Sequence, residues 1–424
     1  MKLVVLAGQS NMAGRGYAGP DDLEPIPGVK HFARDFSWRE AVEPITKDRA
    51  SVGTFAADGT KRVSPDPWDA VPPGAGDRVV GVGPGRTFGR LLRAFDPGEE
   101  VGLVPVAVGG TPIAAWLPGG VDPYNPSNHP YDDAVARVRA AMAGGAVCAI
   151  LWHQGESDCS GLTPPAAYED MLRRVIANFR RDLGIAETVP FVMGTLARFY
   201  GRTQNPQFME ALPEIDAAIE RVAASTPYAG LVCARDLADR GDGLHFDTAS
   251  QHALGERYFR MWRSMAAVPQ EKLSAQAAKY RDAPRVRTRV LLDPGEFLVT
   301  SPFGRRVHPV TGEEGSFHAG VDGALWNGRM LLETGICAWR SGVVVEAADG
   351  DGPAGTFAAI DHGGGWVSRS FHLEAGSLRV APGDRVEAGA LLGWMGKTGR
   401  ATGEHLHLQI EKDGVPVDPF PLLG

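Results

Sequence analysis

Four small groups of residues in this chain have the types and spacing of working chemistry. Near the start, Ser10 stands in Gly8-Gln9-Ser10-Asn11-Met12, immediately after the apolar run of residues 3–7. A serine in such a turn commonly serves as a helix N-cap. As a nucleophile it needs a base to accept its proton and an acid to fix the tautomer of that base. Asp242 and His245, three residues apart, supply both from one loop; their plainer reading is a helix cap and a surface histidine. Later in the chain, His318 and Asp322 form an H-x-x-x-D pair, and His405 and His407 form H-x-H inside a strand-like run. Side chains alternate along a strand, so His405 and His407 face the same way. Two imidazoles plus a carboxylate from elsewhere make a zinc site with an open position, as a catalytic metal requires.

These groups need elements to hold them. Over residues 1–262, strand-like runs (101–108, 147–152 and 189–193) alternate with amphipathic stretches. The clearest helix is 166–183, with Met171, Leu172, Val175, Ile176 and Phe179 on one face. Such alternation predicts an α/β fold with a mostly parallel sheet covered on both sides. Chemistry in such a sheet sits beyond the carboxyl ends of the strands, where the first strand delivers Ser10. Asp242 and His245 precede a helical run at 249–261, and the Pro- and Gly-rich segment 65–85 predicts a long loop. Residues 264–289, rich in Ala, Gln, Lys and Arg, predict a helical linker followed by an extended arm. Beyond Thr300, short β-rich runs (342–346, 356–360, 405–410) between Gly-rich turns predict an all-β domain. The expected organisation is an α/β domain over 1–264, a linker over 265–297 and an all-β domain over 298–424.

The N-terminal blocks resemble a known family. GQSNM followed by Asp242-Gly243-Leu244-His245 resembles the SGNH hydrolases, most of all their sialic-acid-acetylesterase and carbohydrate-esterase-family-6 (acetylxylan esterase) branch. Val108-Gly109-Gly110-Thr111-Pro112-Ile113 resembles the glycine block that donates a backbone N–H, and Leu151-Trp152-His153-Gln154-Gly155-Glu156-Ser157-Asp158 resembles the W-x-Q-G-E block. The resemblance covers most of residues 1–262, with the blocks in order. It implies a three-layer αβα, flavodoxin-like fold. It also implies that Ser10 attacks an acetyl ester, that His245 is the general base and that Asp242 orients His245. The oxyanion would be held by the Ser10 N–H, the N–H of Gly109 or Gly110, and the Gln154 side chain, donors worth a few kcal/mol of barrier each. Glu156 either supports His245 or holds its loop together. Trp116 either lines the pocket or belongs to the core.

The C-terminal residues resemble a second family. Residues 301–312 (SPFGRRVHPVTG) precede the H-x-x-x-D pair, and 398–404 precede His405. This looks like the LytM/lysostaphin-type zinc endopeptidases, which cut cross-bridges or stem peptides of bacterial peptidoglycan. The resemblance spans residue 298 to the C-terminus. It implies Zn²⁺ on His318, Asp322 and His407, with His372 and His405 as catalytic histidines. Ser370 stands where the family usually has a tyrosine, and His308 and His362 fall at positions read as structural. A domain of this type that binds without cutting is the alternative.

Composition narrows the setting. A length of 424 residues suggests two or three domains, and a hydrophobic content of 43% supports real cores. The net charge of -8, with no basic block, gives no nucleic-acid footprint. Cys148, Cys159, Cys233 and Cys337 lie far apart with no C-x-x-C pair, so they read as buried thiols. No apolar run is long enough for membrane insertion, and the opening residues read as a buried strand and not as a signal peptide. The expectation is therefore a protein made in a host cytoplasm and acting at the cell envelope. An acetylesterase joined to a peptidoglycan endopeptidase fits a bacteriophage product, either a tail-associated entry enzyme or an endolysin. Its partners would be bacterial peptidoglycan, acetylated envelope polysaccharide and phage tail proteins. The alternatives are a zinc endopeptidase whose SGNH-like domain only binds glycan, and a mainly structural tail component.

Overall fold

The first strand, β1 (Lys2–Gly8), is buried on both faces from Leu3 to Ala7, as a central strand of a parallel sheet must be. The computed structural model places it in a sheet with β2 (Val29–Phe32), β3 (Trp38–Glu40), β4 (Val101–Pro105), β5 (Ala146–His153), β6 (Phe191–Gly194) and β7 (Ala229–Val232). All residues are described except 65–70, 162, 201–206, 267–268, 270–274, 277 and 308–313; His308 lies outside the described residues. The strand order is β7-β6-β5-β1-β4-β2-β3. Every pairing is parallel except β2–β3 at the edge. With β4 and β5 on its two sides, β1 ends beside the point where the strand order reverses, which is where open α/β sheets form their crevice.

The helices of this unit are α1 (Ser10–Ala13), α2 (Pro84–Phe95), α3 (Pro130–Ala141), α4 (Pro165–Leu183), α5 (Gln207–Ser225) and α6 (Thr248–Ala266). On α4 the buried apolar side chains are Tyr168, Leu172, Val175, Ile176, Phe179 and Leu183, a helical stripe that packs into the main core. Met171 is only half-buried at its margin. Two expectations need correction. The run 101–108 stops pairing at Pro105, because Val106 and Ala107 share the Leu6 carbonyl and Val108 donates to the Gly8 carbonyl. The segment 65–85 is not one loop: Arg78–Val82 is a strand buried between Gly16–Tyr17 and Gly53–Phe55, and Pro84 already opens α2.

The chain divides into two units, Met1–Ala266 and Ala267–Gly424. The second is built of antiparallel strands: β8 (Glu296–Ser301), β9 (Gly304–Arg306), β10 (Ser316–His318), β11 (Val321–Trp326), β12 (Gly342–Ala348), β13 (Thr356–Gly363), β14 (Trp366–Leu373) and β15 (Leu406–Lys412). Its main sheet runs β8-β11-β15-β14-β13-β12, and β9 pairs with β10 as a separate hairpin. Of the linker expected over 265–297, residues 267–268, 270–274 and 277 lie outside the described residues. Its start, Met265–Ala266, is the last part of α6, and Arg285–Val286 pairs antiparallel with β8 as an edge strand of the second unit.

Candidate active sites

In the first unit, β1 delivers Ser10 by a sharp turn. Gly8 has φ +125°, and a Cβ there would stand 2.1 Å from the His153 carbonyl oxygen, so only glycine lets β1 run this close to β5. That same carbonyl accepts the Gln9 N–H at 2.9 Å, and Gln9 caps α1. Ser10 is therefore inside the helix turn and not its N-cap. The loop after β7 brings His245 to it. His245 Nε2 lies 3.1 Å from Ser10 Oγ, and its Nδ1 lies 2.7 Å from Asp242 Oδ2. Asp242 also accepts the N–H groups of Leu244 and His245 on its Oδ1, which fixes the turn. It does not cap α6; Asp247 does, accepting the Ser250 N–H at 2.7 Å.

Electrostatics suit this chain of contacts. Burial opposes charge on Asp242, but hydrogen bonds from His245 and from the Arg240 guanidinium outweigh it and hold the carboxyl well below the usual range. Burial pushes His245 below its ordinary value against the pull of Asp242, and Arg15 and Arg240 add to the lowering. His245 is thus neutral near pH 7, with Nδ1–H donating to Asp242 and the Nε2 lone pair facing Ser10.

The second unit gathers its histidines through strand register. Asp322 on β11 pairs directly opposite His407 on β15, so the two side chains share a face. His318, at the end of the β9–β10 hairpin, joins them. His318 Nε2 is 3.0 Å from His407 Nδ1 and 3.1 Å from Asp322 Oδ1, and the last two atoms are 2.8 Å apart. Two donors at about 2.05 Å from a tetrahedral zinc stand about 3.3 Å apart, so this triangle has the size of a metal site. His318 donates its Nδ1–H to the Pro302 carbonyl at 2.8 Å, which leaves the Nε2 lone pair free for an ion.

His372 and His405 flank the triangle. Their ring centroids are 5.0 Å apart, and His405 Nε2 is 3.7 Å from Asp322 Oδ1. Each ring is turned by a backbone carbonyl: His372 Nδ1 bonds the Thr398 oxygen at 2.9 Å and His405 Nδ1 the Gly403 oxygen at 2.8 Å. Both therefore keep Nε2 as a lone pair. His372 sits at φ +63°, an uncommon conformation for a residue other than glycine. His362 lies apart, bonded to Ser368 and the Ser341 carbonyl, and Ser370 is buried.

The model of the family "carbohydrate esterase, sialic acid-specific acetylesterase" matches residues 1–264 of this chain. The chain belongs to this carbohydrate esterase family. A second model, peptidase family M23, matches residues 316–419, and the C-terminal unit is an M23 peptidase domain. A probable carbohydrate esterase of Arabidopsis thaliana is 29% identical over 273 residues, covering 60% of this chain and 87% of that protein. The peptidoglycan DD-endopeptidase ShyA of Vibrio cholerae is 36% identical over 114 residues, covering 27% of this chain and 24% of that protein. Lysostaphin of Staphylococcus simulans is 32% identical over 126 residues, covering 28% and 24%. The chain thus spans only about a quarter of the length of these two relatives. Both families are hydrolases, and zinc is the metal of the M23 domain; its His318, Asp322 and His407 donors fit that ion by type and spacing.

Within the esterase domain, several expected donors are engaged elsewhere. Gln154 is fully buried, and its Nε2 donates to Asp158 Oδ2 at 2.5 Å and to the Thr111 carbonyl at 3.1 Å. Both amide hydrogens are engaged inside the protein. The Gly109 N–H is likewise taken, by Asp48 Oδ2 at 2.7 Å, while the Gly109 carbonyl accepts from Arg49. Among the described residues, nothing accepts the Gly110 N–H or the Ser10 N–H. Trp116 is core: it is fully buried and its Nε1 donates to Thr111 Oγ1.

Glu156 holds the loop and does not touch His245. Its Oε1 accepts from Asn11 Nδ2 at 2.6 Å; Asn11 in turn donates to the Leu244 carbonyl and accepts the Phe246 N–H, on either side of His245. Nothing in the sequence marks Asn11 for this bracing role, although it lies inside GQSNM. The Arg15–Asp48 pair is equally unmarked: its two side chains are buried and 2.7 Å apart, but no spacing pattern makes two such residues partners. Three of the cysteines are buried and Cys148 is half-buried, all as free thiols.

Proposed function

We propose that this protein is a two-site hydrolase of the bacterial cell envelope. In this reading residues 1–264 remove O-acetyl groups from an envelope glycan, and residues 298–424 cut peptidoglycan peptides. The observation that carries it is the pair of separate constellations in one chain: a Ser10–His245–Asp242 relay and a His318–Asp322–His407 metal triangle. For the esterase unit, the strand order and the packing of α2 on α6 and of α4 on α3 and α5 support a flavodoxin-like, three-layer reading.

In the esterase reading, His245 Nε2 takes the Ser10 proton as Oγ forms its bond to the acetyl carbon. The carbonyl oxygen gains charge against the N–H groups of Ser10 and Gly110, which need no reorganisation to receive it. Collapse breaks the bond to the sugar oxygen, which leaves with the proton from His245; water then releases acetate by the same relay in reverse. Asp242 stabilises the imidazolium and fixes its tautomer. In the peptidase reading, zinc when bound supplies Lewis acidity to the scissile carbonyl and to the attacking water. The Nε2 atom of His372 or of His405 would accept the proton of that water and, once protonated, donate a hydrogen bond to the developing oxyanion.

O-acetyl groups block many wall hydrolases, so one chain that removes them and then cuts the same polymer gains from linkage. ShyA is named as a peptidoglycan endopeptidase, which supports that polymer as substrate. Use by a bacteriophage, at a tail or at lysis, is the setting we favour. The test of the esterase half is acetate release from an O-acetylated glycan: Ser10→Ala should abolish it and leave zinc content unchanged. Retained acetate release in that variant would remove Ser10 from the mechanism.

A further inference from the structure

One aromatic ring lies open beside the relay. We propose that Tyr124 is the sugar-stacking platform of the esterase site, on which the pyranose carrying the acetyl ester lays one face; this rests on the esterase reading above. Three observations carry it. First, the ring is placed against the oxyanion loop: a Cβ added to Gly110 would stand 2.8 Å from Tyr124 Cε2, and one added to Gly109 would stand 3.4 Å from Ser10 Cβ. Ser10, Gly109, Gly110 and the Tyr124 ring are therefore contiguous. Second, the residue is 73% exposed, more than any other aromatic among the exposed large hydrophobic residues. Third, the loop that presents it is built and not loose. The fully buried Asp122 accepts from the Tyr124 N–H at 2.9 Å, Arg49 Nη2 at 2.8 Å and Asn128 Nδ2 at 3.0 Å.

A buried carboxylate organising three donors is a costly way to hold an exposed ring, unless the ring has a partner. Arg49 ties the same loop to the reaction centre, since it donates twice to the Gly109 carbonyl and lies 5.5 Å from the Tyr124 ring centroid. Tyr17, the other exposed tyrosine of this unit, carries two guanidiniums, Arg78 and Arg240, at 4.9 and 5.5 Å from its centroid, against the single Arg49 beside Tyr124. The chemistry that Tyr124 recognises is the C–H face of a pyranose. A saturated ring covers an aromatic face, while its ester substituent reaches the Gly110 N–H at the edge.

The experiment compares a mono-O-acetyl methyl hexopyranoside with ethyl acetate, an ester that has no ring. Tyr124→Ala should lower the ratio of kcat/KM values, pyranoside over ethyl acetate, by roughly three- to tenfold, mostly through KM, as for loss of one aromatic contact. Tyr124→Trp should restore it. The same pyranoside is titrated by NMR into Ser10→Ala with and without Tyr124→Ala, so that binding is read apart from turnover. Tyr124-dependent binding together with a wild type that releases no acetate from either ester would keep the platform and reject the esterase reading. An unchanged ratio, or binding indifferent to Tyr124, overturns the platform.

Discussion

Glu156 allows the sharpest separation of a structural role from a catalytic one. Burial raises its carboxyl from 4.5 to about 7, against the opposing hydrogen bond from Asn11. The folded protein therefore keeps a proton that the unfolded chain releases. The stabilisation is whole below pH 4.5 and is lost as pH rises through about 7. The shift corresponds to about 3 kcal/mol. Glu156→Gln keeps an acceptor for Asn11 and cannot ionise, so it escapes this loss. The Asn11 bond keeps the carbonyl oxygen at the Oε1 position, so the amide nitrogen takes the place of Oε2, which has no hydrogen-bond partner in the folded protein; burial pushes the neighbouring His153 to about 3, so that ring is neutral. For a unit of this size 3 kcal/mol is worth about 6–12 °C in Tm. Scanning calorimetry of the whole chain, following the transition that coincides with loss of esterase activity, should show Glu156→Gln gaining that much on wild type between pH 5 and pH 8. A Tm difference that does not change with pH refutes the reasoning. Esterase activity should survive in Glu156→Gln, since Asn11 still braces the His245 loop. A thousandfold loss would make Glu156 part of the relay.

Other consequences follow from the same geometry. Because burial lowers His245 below 6.5 and the base must be neutral to act, kcat/KM for acetate release should rise with pH along a limb whose midpoint lies below 6.5 and be flat near neutrality; a midpoint above 7 would contradict this. Asp48→Ala would strand the Arg15 guanidinium in a buried site and release the Gly109 N–H. It should cost about 3–5 kcal/mol of stability, read by urea unfolding at neutral pH. Gly320→Ala places a Cβ 2.4 Å from the Leu408 carbonyl oxygen and 2.7 Å from His407 Nε2. It should therefore cut zinc affinity about 10- to 100-fold, measured by competition with a chromogenic chelator, with the Ser10 relay intact.

Much of this was legible in the residue pattern, for physical reasons. The stripe on α4 and the buried run of β1 appear in sequence because a helix and a parallel strand each bury side chains at a fixed period. The H-x-H pair announces a shared face, although His405 stands one residue ahead of β15, and Asp322, the partner of His407, is supplied by register with β11. What sequence could not give was the allocation of hydrogen bonds. Gln154 looks like a free donor until Asp158 and Thr111 are seen to take its hydrogens. Gly109 and Gly110 look interchangeable until Asp48, 61 residues away, takes one N–H. Strand Arg78–Val82 was hidden in a Pro- and Gly-rich stretch, because its pairing partners lie far off in the chain.

The most direct test is a digest of O-acetylated peptidoglycan, with released acetate and muropeptides read by mass spectrometry, for wild type, Ser10→Ala and wild type with a zinc chelator. Two independent sites predict a double dissociation: Ser10→Ala loses acetate release and keeps peptide cleavage, while chelation loses cleavage and keeps acetate release. Both activities falling together under either treatment, or peptide cleavage that survives removal of zinc, would contradict a chain with a serine esterase and a zinc peptidase as separate centres.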